Sequence, residues 1–283
     1  MKVSIITTAL NAEATIRSCL DSVAAQRRES PQGRAVEVEQ IVVDAASGDA
    51  TCAIAREYPE TVRRIVSEPD RGIFDGMNKG IALASGDVTG ILNADDFYSQ
   101  PDALGRVVDA IAGGTDACYG NVAYVDPDNP FRCRRLWRER PFRRTRFRYG
   151  WMPPHPSVFV RAGAYRRYGA FRLDMGTAAD YELMLRLFYK RRLRVTYVPQ
   201  LWIAMRQGGA SNASVRGRLR ANRMDRRAWR VNHVTPVPGL RLMKPLRKVP
   251  QFLAGGKDEL VAHLALVPES ALTDARERLR RSA

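Results

Sequence analysis

Short β-branched runs alternate with amphipathic stretches over the first hundred or so residues. Residues 3–8 (Val-Ser-Ile-Ile-Thr-Thr) predict a buried parallel strand. Asn11 stands where a helix cap is expected, ahead of Ile16, Cys19, Leu20 and Val23 at helical spacing. Residues 26–36 are polar, with Pro31 and Gly33, and predict a loop. Further strands are expected over 40–44, 62–67 and 88–92. Helices are expected over 51–58, capped by Ser47, over 75–84 with Gly86 just beyond, and over 101–112. The β-α-β-α order predicts an α/β fold whose mostly parallel sheet is flanked by helices.

The rhythm then changes. Residues 117–125 and 157–161 read as strands, and 179–190 as a helix with Leu183, Leu185, Leu187 and Phe188 largely on one side. Two more strands are expected over 194–199 and 201–206, before Gly208-Gly209. Residues 214–230 predict an arginine-rich helix. The rest carries Pro238, Pro245 and Pro250, then a charged terminal helix. This pattern divides the chain into one domain over 1–212 and a basic helical C-terminal extension over 213–283.

Charge sharpens the division. The chain of 283 residues has a net charge of +16. Residues 1–120 hold 11 basic and 18 acidic side chains, and the remainder holds 35 and 12. An acidic front suggests a carboxylate-bearing site, and a basic back a surface that attracts anions. Apolar content of 45% with 27% charged residues excludes wholesale disorder. The cysteines (Cys19, Cys52, Cys118, Cys133) form no CxxC pair, which argues against a zinc ribbon and fits a reducing cytosol. No segment reaches the roughly 18–20 apolar residues of a membrane span. The start lacks the apolar region of a signal peptide, so a cytoplasmic location is expected.

Three readings are open for the basic back: a solvated surface, peripheral attachment to anionic lipid at the inner face of the plasma membrane, and nucleic-acid binding. Residues 132–148 and 216–230, with interleaved Trp137, Phe142, Phe147, Tyr149 and Trp229, favour the lipid interface. Nucleic acid is the least favoured, because no recognised module appears.

In an open parallel sheet, ligands bind at the carboxyl ends of the strands. Asp44, Asp70 and the Asp95-Asp96 pair all follow strand-like runs, so they are expected to converge on one crevice. Adjacent carboxylates repel, and a divalent cation relieves that. Hard oxygen ligands suit Mg²⁺ or Mn²⁺ shared with a substrate diphosphate, which assigns Asp95 and Asp96 to a metal.

The residue blocks themselves carry a resemblance. Ser4-Ile5-Ile6-Thr7-Thr8-Ala9-Leu10-Asn11 and Ile41-Val42-Val43-Asp44-Ala45-Ala46-Ser47-Gly48-Asp49 come first. Glu68-Pro69-Asp70-Arg71-Gly72 and Leu92-Asn93-Ala94-Asp95-Asp96 follow. Then come Tyr119-Gly120-Asn121, His155-Pro156-Ser157, Ala179-Asp180-Tyr181 and Gly208-Gly209-Ala210. In this order they resemble family 2 glycosyltransferases of the GT-A (Rossmann-like) fold, in the bacterial cell-surface polysaccharide and glycolipid branch. The resemblance implies a nucleotide-sugar-binding half over 1–120 and an acceptor half over 121–212. It implies an inverting transfer from a UDP-, dTDP- or GDP-linked sugar to a hydroxyl of a glycan or lipid-linked acceptor.

It also implies roles. Thr8, Asn11, Asp44, Asp70, Arg71, Asn93 and Asp96 would contact the donor, with Asp44 on the nucleobase. Asp95 would bind the metal, Asp180 would be the catalytic base, and His155 and Trp151 would line the acceptor site. Asn93 replaces the first acid of the family's DxD motif, and Ala45-Ala46 replaces a more polar or glycine-rich pair. These departures keep a catalytically inactive nucleotide-sugar-binding protein open as an alternative, with a nucleic-acid binder behind it.

Overall fold

A computed structural model describes residues 1–127, 129–130, 132–207, 224, 226–235, 268 and 270. The front half follows the sequence pattern. It runs β1 (Lys2–Ala9), α1 (Ile16–Ala24), β2 (Glu37–Asp44), α2 (Thr51–Arg56), β3 (Val62–Ser67), α3 (Ile73–Leu83) and β4 (Val88–Ile91). Next come β5 (Asp96–Tyr98), α4 (Ala103–Ala112), β6 (Ala117–Val125) and β7 (Cys133–Trp137). The back half adds β8 (Phe159–Arg161), α5 (Ala162–Tyr168), α6 (Ala179–Met184) and β9 (Val195–Arg206).

One sheet takes the order β3-β2-β1-β4-β8-β6-β9-β5, with β7 on β6. It is parallel from β3 to β4, and β6 and β9 are also parallel. β8 runs antiparallel between β4 and β6. β1 explains why the front half is parallel: every residue after Lys2 is buried, which needs helices on both faces. Each buried Ile or Val there contributes about 1.5–3 kcal/mol. Successive strands lead from β1 to one side through β2 and β3, whereas β4 lies on its other side. The carboxyl ends of β1 and β4 therefore form the point where strand order reverses, the place such sheets bind ligands. Backbone bonds from Leu92 to Ile6 (2.9 Å) and Ala94 to Thr8 (3.1 Å) carry the pairing beyond β4 toward the acidic turn.

Several local expectations differ from the fold. Neither Asn11 nor Ser47 caps a helix: the cap positions are Thr15 and Ala50, without side-chain bonds. Asn11 is left-handed (φ 47°) and Ser47 is used elsewhere, as described below. The two strands expected over 194–206 are one strand. Its pairing with β6 shifts register between Tyr119 and Asn121, opposite Pro199. Proline has no N–H to give the ladder, and the bulge absorbs it. The helix expected over 179–190 is α-helical only to Met184, and Leu185–Lys190 forms a wider π turn. Residues 155–157, expected to open a strand, form a short 3₁₀ turn.

The basic surface is also rearranged. Phe147 and Trp229, expected among exposed arginines, are fully buried. Residues 226–230 are helical, as expected, and Ala228 and Trp229 pack on the core around α6. Gly208-Gly209, the remainder of the 214–230 helix and nearly all of 236–283 lie outside the described residues.

Candidate active site

Asp44 ends β2 and is fully buried. Its Oδ2 accepts from the Ser47 amide (2.9 Å) and the Ser67 hydroxyl (2.6 Å), and its Oδ1 accepts from the Ser47 hydroxyl. Burial disfavours its charge, but these bonds outweigh that and hold the carboxyl below the usual range. Ser47 also accepts from the Asn11 amide (2.7 Å), and Asn11 Oδ1 accepts from Gly48 N (3.0 Å). Asn11 thus ties the β1–α1 loop to the β2–α2 loop. Ala46, in that second loop, has a φ of 60°, a strained conformation for a residue with a Cβ.

Asp70 leans over the start of α3. Lys79 Nζ donates to Asp70 Oδ1 (2.6 Å) and the Pro69 carbonyl (3.0 Å). A Cβ on Gly76 would stand 2.6 Å from Asp70 Oδ2 and 3.3 Å from Thr8 Cγ2. Only glycine lets the carboxylate settle beside β1 here. Thr8 in turn donates its hydroxyl to Asn93 Oδ1 (2.9 Å). Asp70, Thr8 and Asn93 therefore meet at the reversal between β1 and β4. Arg71 is paired with Asp75 (3.1 Å) yet its side chain is 80% exposed, so its guanidinium faces solvent.

The acidic turn carries the largest electrostatic stress. Asp96 is 1% exposed, and among the described residues neither of its carboxylate oxygens accepts a hydrogen bond of good geometry. Burial and the neighbouring Asp95 push its carboxyl well above the usual range, and Arg206 opposes them. Arg206, at the end of β9, donates Nη1 to the Asp95 carbonyl (2.8 Å) and Nη2 to Ser18 Oγ (2.9 Å). Glu39, at the far end of the sheet, shows the opposite outcome. It is also buried, but Ser4 (2.5 Å), the Ser85 amide (2.6 Å) and Lys2 (2.9 Å) serve it, and its carboxyl falls to about 2 despite burial. Among the described residues no group of three or more His, Cys, Asp or Glu side chains is placed to hold a metal. The orphaned oxygens of Asp96 beside a second carboxylate still fit a hard divalent cation whose remaining ligands come from a substrate.

Asp180 opens α6, and its Oδ2 lies 3.4 Å from His155 Nδ1. Burial pushes the imidazole below its ordinary value, and the Asp180 charge recovers part of the shift. His155 and Asn93 line one mostly apolar pocket with Met77, Phe171 and Leu183, whereas Asp180, Asp95 and Asp96 are not among its lining residues. Tyr124 on β6 links them: burial raises its hydroxyl, and the charges of both Asp96 and Asp180 add to the rise. Trp151 is placed differently, 6% exposed in the core, with its indole N–H on Glu139 (2.8 Å).

Sequence reasoning missed Arg206, Ser67, Tyr124 and Glu139. Glu139 accepts from both Trp137 and Trp151 (2.8 Å each), and burial raises its carboxyl. Ser67 opens the Glu68-Pro69-Asp70 block without a role of its own in the sequence pattern, Arg206 acts through Asp95 and Ser18 far away in sequence, and Glu139 is bonded by indoles on either side of it.

The strand order and the acidic rim at its reversal are those of a GT-A glycosyltransferase. The sequence profile of glycosyl transferase family 2 matches residues 4–172, and the chain belongs to that family. An uncharacterized glycosyltransferase of Mycobacterium tuberculosis is 35% identical over 188 residues, covering 65% of this chain and 68% of its own. A PGL/p-HBAD biosynthesis glycosyltransferase of Mycobacterium bovis is 29% identical over 229 residues, covering 75% and 80%. Among solved structures, S. aureus TarS 1–349 in complex with UDP-GlcNAc superposes with a TM-score of 0.60 at 16% identity, covering 100% of this chain and 92% of that one. The mannosyltransferase PcManGT of Pyrobaculum calidifontis, in complex with GDP-Man and Mn²⁺, gives 0.54 at 18% identity, covering 99% and 74%. These last two likenesses show the fold.

The His155–Asp180 contact has a direct spectroscopic consequence. In ¹H–¹³C NMR, His155 should titrate below 6.5, and Asp180→Asn should lower its pKa further by removing the Asp180 charge that raises it. An unchanged or higher value in the variant would break the coupling.

Proposed function

We propose that this transferase moves a sugar from a nucleoside diphosphate donor to a hydroxyl of a glycan or lipid-linked acceptor, with inversion and with Asp180 as base. The observation that carries the reading is the pocket lined by both Asn93 and His155, with Asp180 3.4 Å from the imidazole. Asp44 and Asp70 stand at the nucleoside end; Thr8 and Asn93 contact the donor nearer the transferred sugar. Arg71, exposed at the rim, answers diphosphate charge. The donor nucleotides found with TarS and PcManGT make UDP- and GDP-linked sugars the first candidates, with dTDP-linked sugars beside them.

Asp180 takes the proton of the acceptor hydroxyl as that oxygen attacks the anomeric carbon. His155, its imidazole held below the ordinary value by burial, stands beside the carboxylate. The apolar wall of Met77, Phe171 and Leu183 limits water beside the reacting atoms. Asp95 and Asp96 would hold Mg²⁺ or Mn²⁺, which supplies charge neutralisation for the departing diphosphate.

The same reading places the protein in the cytoplasm at a membrane surface. Among the described residues no helix is long and apolar enough to cross a membrane. Arg143, Arg148, Arg166, Arg167, Arg191 and Arg192 are all exposed and supply a basic face for anionic lipid.

Asp180→Asn should bind donor normally and lose transfer by roughly 10²–10⁴-fold; undiminished transfer would remove it as base. Calorimetry with UDP-GlcNAc and GDP-Man should show Mn²⁺-dependent binding that Asp95→Ala weakens by about tenfold or more. An unaltered Mn²⁺ dependence would move the metal elsewhere. In flotation assays the protein should rise with phosphatidylglycerol vesicles at low salt and be released at high salt. Absence of binding at low salt would refute the lipid surface.

A further inference from the structure

The chain on both sides of Asp180 is gripped by residues some fifty positions downstream. Trp229 is fully buried, and its Nε1 donates to Tyr181 Oη (3.0 Å). Its ring lies 5.2 Å from that of Tyr189, centroid to centroid. Asn232 is 2% exposed and donates Nδ2 to Glu182 Oε1 (3.1 Å) and to the Ala228 carbonyl (2.9 Å). On the other side of Asp180, Arg227 donates Nη2 to Asp174 Oδ2 (2.6 Å) and Nη1 to the Asp174 carbonyl (3.1 Å). The gripped points, Asp174 and Tyr181-Glu182, bracket both Asp180 and Gly176. Gly176 has φ 50° and ψ −133°, and a Cβ built there would meet nothing within 4 Å. The base therefore follows a glycine turn whose two flanks are pinned from outside the family-matched residues 4–172.

We propose that residues 226–235 form a latch that positions Asp180. Trp229, Asn232 and Arg227 are positioning residues, and none of them belongs to the pocket itself. The proposal rests on the reading of Asp180 as base. Its physical basis is that proton transfer needs the carboxylate within hydrogen-bond reach of the acceptor hydroxyl, and a displacement of about 1 Å lowers the rate about 10²-fold. Tyr181 and Glu182 follow Asp180 directly in the first turn of α6, so a shift of the Trp229 and Asn232 contacts moves the base with them.

The experiment uses the full chain with Trp229→Ala, Trp229→Phe, Arg227→Gln and Arg227→Lys. Trp229→Phe keeps a ring in the core and lacks the indole N–H. Arg227 is 45% exposed, so its variants should fold even where Trp229→Ala does not. Three readouts are compared: Mn²⁺-dependent hydrolysis of UDP-GlcNAc, dTDP-glucose and GDP-Man; affinity for UDP and GDP by calorimetry; and amide exchange over 173–182. Trp229→Ala and Arg227→Gln should lower kcat about 10- to 100-fold, leave donor KM and nucleotide affinity within about twofold, and speed exchange over that segment. Arg227→Lys should restore kcat. Wild-type kcat in Arg227→Gln and Trp229→Phe, with exchange unchanged or faster, overturns the latch. A loss of nucleotide affinity in step with kcat also overturns it, because it marks general destabilisation. Full hydrolysis by Asp180→Asn refutes the base reading beneath the proposal. Loss in Asp180→Asn with full rates in every latch variant refutes the latch alone.

Discussion

A carboxylate buried beside a second carboxylate, at the point where strand order reverses, is the constraint that organises this protein. Taking a charged group out of water costs several kcal/mol unless a partner compensates. Asp96 has Asp95 beside it, which makes matters worse, and Arg206 nearby, which helps. That arginine comes from the last strand of the sheet and is itself anchored to Ser18 on the first helix. Elements from both ends of the domain thus converge on one turn. The satisfied Glu39 at the far end of the sheet shows that the fold can bury an acid comfortably where no ligand is needed.

What was legible from the sequence follows the range of the physics. Strands and helices of the front half are written in local periodicity, and β1, β2, β3, α3 and β4 stand within a residue or three of where hydrophobic spacing puts them. Asp44, Asp70 and Asp95 stand at or just past the ends of β2, β3 and β4, where the strand pattern alone puts them. The caps were misread because Asn11 and Ser47 have a stronger use: they bond to each other's loops and, through Ser47, fix Asp44. β5 was invisible, since three residues, Asp96–Tyr98, carry no period. Trp229 looked like a surface aromatic because its arginine neighbours are polar, and only tertiary contact with Tyr181 and Tyr189 reveals it as core. Arg206 had no local signal at all.

Asn93 is the clearest departure from the family pattern, and the structure gives it a rationale. Its oxygen is taken by Thr8, and its amide favours the ionised form of Asp96. A third acid at this position would add like charge to a turn that already strains to hold two. The neutral amide exchanges a weaker grip on cations for a less repulsive apo state.

β9 has an implication of a different kind. From Val195 to Arg206 it is one strand, paired to β6 along its length, to β5 at its end, and bonded to the acidic turn by its last residue. Apart from the break opposite Pro199, this pairing ties the acidic turn to the middle of the sheet through a single strand. The position of the Asp95-Asp96 turn is thus fixed from the last strand of the sheet as well as from the first helix.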